Sequence, residues 1–224
     1  MEKYEHLLNN LERISHNNSI FDYEYGRKAL LSLSEGNRRE WLEKLLPNTR
    51  LILEPRITGS KIGIQYINSK LNKAINKKSR DITEEVKAIK CVPKTIPIKN
   101  RIEIQGVLYN KQIKSDMGKK IKLIDTHKSL NVKKITNFCA FQIFHCKINQ
   151  FQALKELKNL DFETPETQIT KFISEIEMYR HCWKEGKLFQ NYPTNGIVLK
   201  INSRKLQKHL GQNNLSIHWA YAIK

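Results

Sequence analysis

The strongest constraint on the fold is a change of hydrophobic period at Leu51. Before this residue, apolar side chains recur every three or four positions. After it, β-branched and apolar residues alternate with polar ones through the stretch LILEPRITGSKIGIQYINSKLNKAI. The first period buries one face of a helix, and the second buries one face of a strand. The sequence therefore predicts a helical segment at residues 1–50 and a β-rich domain at residues 51–224.

Two apolar stripes predict helices in the first segment. The first stripe consists of Tyr4, Leu7, Leu8, Leu11 and Ile14, and the second of Trp41, Leu42, Leu45 and Leu46. Asn17–Asn18–Ser19 separates the two stripes, and Pro47 ends the second because proline cannot continue a helix.

The second segment mixes strands and helices. Four further runs are typical of strands: IPIKNRIEIQGVLY, NFCAFQIFHC, NGIVLKI and SIHWAYAIK. Asn68–Ser69 has the residue types of a hairpin turn. Amphipathic patterns predict helices at Gln152–Leu160 and Thr170–Trp183, the second with Phe172, Ile173, Ile176 and Tyr179 on one face. Because the strands and helices do not strictly alternate, an α+β fold is predicted rather than a doubly wound sheet.

The charge of the chain favours polyanionic partners. The 224 residues carry 40 Lys and Arg against 22 Asp and Glu, a formal net charge of +18. Residues 61–134 hold 19 of the basic and 6 of the acidic side chains, so the excess is concentrated there. Such a field attracts nucleic acid or nucleotides. No apolar run reaches the roughly 20 residues of a membrane span, and Glu2 and Glu5 stand where a signal peptide would be basic. We therefore expect a cytoplasmic protein without a membrane partner.

The arrangement of the cysteines agrees with an intracellular protein. Cys91, Cys139, Cys146 and Cys182 are scattered, without a CxxC pair and without a histidine at zinc-finger spacing. The tightest group, Cys139 with His145 and Cys146, lies in a run that alternates like a buried strand, so core thiols are favoured over a zinc site. No metal site is predicted.

Five short elements follow one another in a fixed order. They are EPRITG, DITEEVKAIKCVP, RIEIQGVLY, NGIVLKI and WAYAIK. Over residues 51–224 the series resembles the adenylation (nucleotidyltransferase) domain of NAD-dependent DNA ligases. That family carries E-P-K-x-D-G, a D-V-T-x-N segment leading to I-P, E-V-R-G-E, D-G-V-V-I-K and W-A-I-A-Y-K. The resemblance implies a nucleotidyltransferase fold of antiparallel sheets flanked by helices.

The chemistry of that family is nucleotidyl transfer. A lysine amine attacks the adenylate phosphorus of NAD, releases nicotinamide mononucleotide and holds AMP for transfer to a DNA 5′-phosphate. In this sequence Arg56 replaces that lysine, and its guanidinium stays protonated. The motif Asp is Thr58, and neutral residues also stand at three other motif positions: Gln105, Val107 (for the last Glu of the third motif) and Asn195 (for the Asp of the fourth). Fewer carboxylates weaken Mg²⁺ binding, because this ion prefers oxygen anions.

Other motif residues are retained and define a predicted nucleotide site. The resemblance places Glu54 against the adenine and makes Lys200 and Lys224 the two lysines that hold the adenylate phosphate. Gly59 is expected in a hairpin turn. The predicted nucleotide-binding set is Glu54, Arg56, Thr58, Gly59, Lys200 and Lys224. Trp219 is predicted to be a core residue rather than a platform for base stacking.

Each retained charge has a plainer interpretation. Lys200 and Lys224 alternate with apolar residues and could be solvated lysines on strands, Glu54 could be a solvated strand end, and Arg56 could be a neutral replacement at the surface. Lys61, five residues beyond Arg56, would face the opposite side of a regular strand pair. It is therefore not predicted to be a substitute nucleophile.

The sequence thus predicts a homologue of the ligase adenylation domain that is degenerate in catalysis and binds nucleotide or DNA. NAD or AMP are the candidate ligands, nucleic acid is the expected partner, and DNA repair is the expected setting. Two alternatives stay open: an active nucleotidyltransferase, alone or completed by a further ligase-type subunit, and a basic interaction protein with a vestigial cleft. The 224 residues contain no match to the family's OB-fold, zinc finger or helix–hairpin–helix repeats, so we do not expect this chain alone to encircle DNA.

Overall fold

The structure describes the chain in five stretches. The computed structural model describes residues 2–12, 35–45, 48–111, 137–211 and 217–224. Predictions that concern Ile14, Asn17–Asn18–Ser19, Leu46 and Pro47 lie outside the described residues, as do residues 112–134 of the basic stretch 61–134. A 3-10 helix spans Glu2–Tyr4, and the α-helices are α1 (Glu5–Asn10), α2 (Glu35–Glu43), α3 (Thr83–Lys87), α4 (Gln150–Asn159), α5 (Ile173–Lys184) and α6 (Arg204–Leu210). The strands are β1 (Leu51–Ile57), β2 (Ser60–Ile67), β3 (Lys70–Asn76), β4 (Ile102–Tyr109), β5 (Asn137–Ile143), β6 (Gln168–Thr170), β7 (Thr194–Ile201) and β8 (Ala220–Ile223).

The strands form two antiparallel sheets of four. Sheet 1 has the order β6-β1-β7-β8, and sheet 2 has the order β3-β2-β4-β5. In sheet 1, Ile52 of β1 lies opposite Lys200 of β7. In sheet 2, β2 and β3 form the predicted hairpin, with Asn68 and Ser69 at φ of 49° and 68° in its turn. The predicted α+β architecture of antiparallel sheets flanked by helices is confirmed.

The chain crosses from one sheet to the other at Gly59, and the predicted hairpin turn at this position is wrong. β1 pairs with β6 and β7, whereas β2 pairs with β3 and β4. A Cβ atom on Gly59 would lie 2.3 Å from the carbonyl oxygen of Leu108, so glycine allows a close approach to β4. The sequence pattern could not distinguish a hairpin from a crossover, because both need a small residue at a tight bend.

Each sheet buries one face in its own apolar core. The core of sheet 2 takes side chains from β2, β4, α1 and α4, among them Ile62, Ile64, Ile104, Leu7 and Leu157. The core of sheet 1 takes side chains from β1, β7, α2, α5 and the chain at the start of β8, among them Leu53, Leu199, Leu42, Ile176 and Trp219. Trp219 is 8% exposed, as its core assignment predicted. The two N-terminal helices therefore pack on different sheets.

Two local predictions need comment. The shared apolar face around α5 holds for Ile176 and Tyr179 but is wrong for Phe172 and Ile173, which are 52% and 43% exposed. The helix begins only at Ile173, so the helical period does not extend back to Phe172. Cys139 and Cys146 are buried, as expected of core thiols. Within the described stretches, no helix has both the length and the apolar character needed to cross a bilayer.

Candidate functional site

The predicted site residues of β1 and β7 lie on the face of sheet 1 that its apolar core leaves free. Leu53 and Leu199 point into the core, so strand alternation directs Glu54 and Lys200 to the other face. That face meets sheet 2, because the Lys200 Nζ lies 4.9 Å from the centre of the Phe141 ring on β5. The site is therefore built between the two sheets.

Glu54 and Lys200 form a buried ion pair. The Lys200 Nζ donates to the Glu54 Oε2 at 2.6 Å, and the two side chains are 6% and 4% exposed. The Gln150 Nε2 of α4 donates to the Phe141 carbonyl at 2.8 Å and lies 3.5 Å from the other Glu54 oxygen. The sequence prediction treated both charges as open to a ligand. In the structure a ligand phosphate would have to share Lys200 with Glu54.

Arg56 and Lys224 converge over Gly196 of β7. A Cβ on Gly196 would lie 3.6 Å from the Arg56 Cδ and 3.6 Å from the Lys224 Cγ, which is ordinary van der Waals contact, so both side chains lie over this residue. The Ile223 carbonyl oxygen, 2.7 Å from such a Cβ, is what requires glycine here. Burial lowers the pKa of Arg56, but the guanidinium keeps its charge at neutral pH. Asn195, beside them, is exposed and neutral. In the part of the chain that the structure describes, neither side chain has an acidic partner.

Thr58, at the position predicted for the motif aspartate, carries a hydroxyl and no charge. Its Oγ1 is buried and has no hydrogen-bond partner among the described residues, and the same holds for the Oγ of Ser60. The backbone N–H of Thr58 donates to the Pro193 carbonyl at 2.6 Å, which fixes the crossover against the segment before β7. Two buried hydroxyls thus flank Gly59.

Lys61 is the site residue that sequence reasoning missed. It lies on β2 opposite Val107, with its side chain largely buried. Burial, and secondly the nearby charge of Lys200, lower the pKa of Lys61 to about 8. If side chains alternated regularly from Arg56 to Lys61, these two residues would face opposite sides of one strand pair. Because β1 and β2 belong to different sheets, this alternation does not continue across Gly59. The available signal was a lone charged residue in the strand SKIGIQYI.

The neutral motif residues on β4 are packed rather than solvated. Val107 is 6% exposed and forms a small apolar cluster with Tyr109 and Cys139. The acid that β4 retains, Glu103, is fully buried and accepts hydrogen bonds from Arg101 at 2.8 Å and from Gln65 at 3.0 Å. Glu103 is therefore committed to a structural network.

The charges of the site sum to a net positive potential. Glu54 is the acid placed at the site, and Lys200 neutralises it. Arg56, Lys61 and Lys224 add three further positive charges. An arrangement with this balance attracts anions, and phosphate is an anion that both arginine and lysine side chains bind in proteins.

Comparison with known protein sequences places this chain beside the ligase adenylation domains. Residues 129–224 match the family model of the NAD-dependent DNA ligase adenylation domain. The DNA ligase of Metamycoplasma arthritidis (strain 158L3-1) is 29% identical over 229 residues, covering 87% of this chain and 34% of the relative. That of Prochlorococcus marinus (strain NATL1A) is 28% identical over 238 residues, covering 89% and 34%. The chain thus spans about a third of the length of these relatives. The predicted relationship to this family of domains is confirmed.

Solved structures agree on the fold. Pmar-Lig_PreS3 superposes with a TM-score of 0.52 at 11% identity, over 87% of this chain and 45% of that one. Mycobacterial DNA ligase D complexed with ATP and MES has a TM-score of 0.50 at 11% identity, over 90% of this chain and 62% of that one. The predicted nucleotidyltransferase fold is therefore confirmed.

Proposed function

We propose that this relative of the adenylation domains of NAD-dependent DNA ligases binds an adenine nucleotide through its phosphate without becoming covalently adenylated. Arg56 carries the proposal: it occupies the nucleophile position, has no acidic partner in the described residues and lies beside Lys224 over Gly196. A guanidinium offers two parallel N–H donors to phosphate, but it stays protonated and is a poor nucleophile. AMP and NAD are the proposed ligands.

The residues present do not fit a Mg²⁺ site. Mg²⁺ prefers oxygen anions, yet Thr58, Val107 and Asn195 are neutral, and the carboxylate of Glu54 is bound to the Lys200 amine. The positive side chains can neutralise a phosphate by themselves. Nucleotide binding is therefore expected to persist when divalent ions are chelated.

Titration calorimetry with AMP and with NAD, in the presence of EDTA, tests the proposal. We expect Arg56→Gln to weaken binding by roughly tenfold or more, because it removes a charge-assisted contact to phosphate. Arg50→Gln is the matched control, since Arg50 is an exposed arginine just before β1. Absence of binding by the unmodified protein, or equal binding by the Arg56 variant, would contradict the proposal.

A second candidate function is nucleic-acid binding along the edge of sheet 2. Between residues 70 and 99 the chain carries 9 basic and 3 acidic side chains. β3 is the edge strand of this sheet, and exposed cations lie on it and on the segment that follows: Lys70, Lys77, Lys78, Arg80, Lys87, Lys90, Lys94 and Lys99. A continuous basic edge suits the phosphate backbone of DNA. The family relationship supports a role in DNA repair in the cytoplasm, alone or with a further ligase-type subunit.

A further inference from the structure

The Lys61 amine is a positive charge that the described residues leave without an anion. β2 places this residue on the face of sheet 2 opposite to the one that Ile62 and Ile64 bury in the core. No hydrogen bond or ion pair joins the Lys61 amine to any residue of the described stretches, and the charged group that lowers its pKa is another cation, Lys200. Burial of an unpaired ammonium is unfavourable.

The residue that lies opposite explains why Lys61 is unpaired. Lys61 on β2 is in register with Val107 on β4, and Val107 is in register with Cys139 on β5. At the position of Val107 the related domains have a glutamate, the last residue of E-V-R-G-E. A carboxylate there would stand next to the Lys61 amine, whereas the valine of this chain leaves the amine free for an anion from outside.

We propose that Lys61 is a phosphate ligand of the nucleotide site, and that its amine and the Lys200 amine hold the phosphate between the two sheets. This inference rests on the proposed function. It adds Lys61 of sheet 2 to the predicted nucleotide-binding residues, which lie on sheet 1 and at the crossover. A phosphate at this point would neutralise Lys61 and reduce its repulsion with Lys200. The Glu54 carboxylate keeps the Lys200 amine in place through the 2.6 Å contact.

Few titratable groups face the Lys61 amine. They are Lys200 of β7 and, beyond it, Glu54 of β1, whose charge Lys200 neutralises. On β4 the facing residue is Val107. On β5 the pKa of the Cys139 thiol is raised by burial and next by the charge of Glu163, so this thiol stays neutral. The Glu163 carboxylate accepts a hydrogen bond from the Asn137 Nδ2 at 3.0 Å. A proton taken up in this part of the site is therefore assigned to Lys61.

Nucleotide binding should consequently be linked to a proton. In the free protein the pKa of Lys61 is about 8, and a bound phosphate must raise it because an anion stabilises the ammonium. Between pH 8 and the pKa that Lys61 has in the complex, binding of the nucleotide takes up one proton. In this range the affinity falls as the pH rises, by up to about tenfold per pH unit. The phosphate itself, with a second pKa of about 6, is fully ionised in this range.

Calorimetric titration measures the number of protons taken up for each AMP bound. The titration is done in EDTA at about pH 8.5, in two buffers of different ionisation enthalpy. We expect uptake by the unmodified protein. Lys61→Arg should bind AMP without uptake, because the guanidinium is already protonated. Lys61→Met should bind roughly tenfold to a hundredfold more weakly, and it should remain folded, since it removes an unpaired buried charge. Circular dichroism checks the fold of each variant.

Lys94 provides the matched control. Burial also lowers the pKa of Lys94, but its amine donates to the carbonyls of Val86 and Ile89, so Lys94→Arg should leave the proton uptake unchanged. If the unmodified protein binds AMP but Lys61→Met binds equally well, or Lys61→Arg still takes up the proton, the role of Lys61 is refuted while the proposed function stands. If the unmodified protein binds no AMP, both fail. A stable adenylate bonded to Lys61 would also overturn the inference.

Discussion

At the scale of single residues, the site divides into charges that are paired and charges that are not. The Glu54 carboxylate and the Lys200 amine satisfy each other inside the protein, whereas Arg56 and Lys61 have no acidic partner among the described residues. The paired charges are expected to contribute to the stability of the fold, and the proposals assign ligand binding to the unpaired charges together with the Lys200 amine. This division leads to two predictions.

The first prediction concerns covalent chemistry at the nucleophile position. Incubation with NAD or with ATP and Mg²⁺ should leave no stable AMP adduct, because Arg56 cannot act as the nucleophilic amine. Arg56→Lys alone should not restore transfer, since Thr58, Val107 and Asn195 still lack the carboxylates. Intact-mass spectrometry measures the result. An increase of one adenylate that maps to a lysine and is lost when that lysine is replaced would establish the active nucleotidyltransferase alternative.

The second prediction concerns the buried pair. Lys200→Met should lower the free energy of unfolding by roughly 3–5 kcal/mol, because it leaves the Glu54 carboxylate buried without a partner. The double variant Glu54→Gln with Lys200→Met should recover most of that loss. Urea unfolding followed by circular dichroism measures both.

The exposed pair of Lys44 and Glu40 is the control for this measurement, since its N–O distance is also 2.6 Å. Lys44→Met should change the stability little, because solvent screens surface charges. Equal effects of the Lys200 and Lys44 substitutions would show that burial does not set the strength of the first pair.

At the scale of elements, the two short N-terminal helices are held by tertiary contacts rather than by their own helical propensity. α1 has only six residues, too few to be stable alone. Leu7 inserts into the core of sheet 2, and the chain after the helix binds the segment after β5, where Glu12 N donates to the His145 carbonyl at 2.7 Å and Lys147 N donates to the Asn10 carbonyl at 3.0 Å. The helix is therefore part of the sheet 2 unit.

This packing predicts the cost of truncating Leu7. Leu7→Ala should lower the free energy of unfolding by about 2–5 kcal/mol, because Leu7 is fully buried and its removal leaves a cavity. Asn9→Ala, on the exposed side of the same helix, should not destabilise the protein. Equilibrium urea unfolding measures both variants. A small loss for Leu7→Ala, comparable to that of Asn9→Ala, would mean that α1 does not contribute to the core.

At the scale of the whole molecule, the charge excess should act as a field rather than through one contact. Binding to DNA should be independent of sequence and should weaken with salt, with a log–log slope near −0.9 for each phosphate neutralised. Fluorescence anisotropy with a labelled duplex, titrated at several salt concentrations, measures the slope. An acidic protein serves as the control for non-specific attraction. Affinity that hardly changes with salt would contradict this prediction.

A pair of charge reversals tests where the duplex binds. Lys77→Glu with Lys90→Glu changes the basic edge, whereas Lys147→Glu with Lys158→Glu makes the same change of net charge near α4, and all four lysines are exposed. We expect the first pair to weaken binding and reduce the slope more than the second. Equal effects would locate the attraction in the overall charge of the molecule instead of in the edge of sheet 2.

Local pattern explains how much of the fold was predictable. The strands with alternating side chains, the β2–β3 turn at Asn68–Ser69 and the helix at α4 were all predicted, because each depends on the spacing of residues near one another in sequence. The order of the motifs also predicted the relationship to the ligase adenylation domains that the sequence comparison found. Most of the predicted nucleotide-binding residues lie on β1, on β7 and at the crossover, and the structure brings these three parts of the chain together.

The sequence by itself determined the kind and order of the elements and the residue types that stand at each motif position, since these are properties of the chain read along its length. Only the tertiary structure decided that β1 and β2 separate into two sheets at Gly59, that Lys200 is bound to Glu54 and that Lys61 joins Lys200. The physical reason is that charges separated by many residues interact through space: Glu54 and Lys200 meet across paired strands, and Lys61 reaches them from the facing sheet. No periodicity within a single strand contains that information.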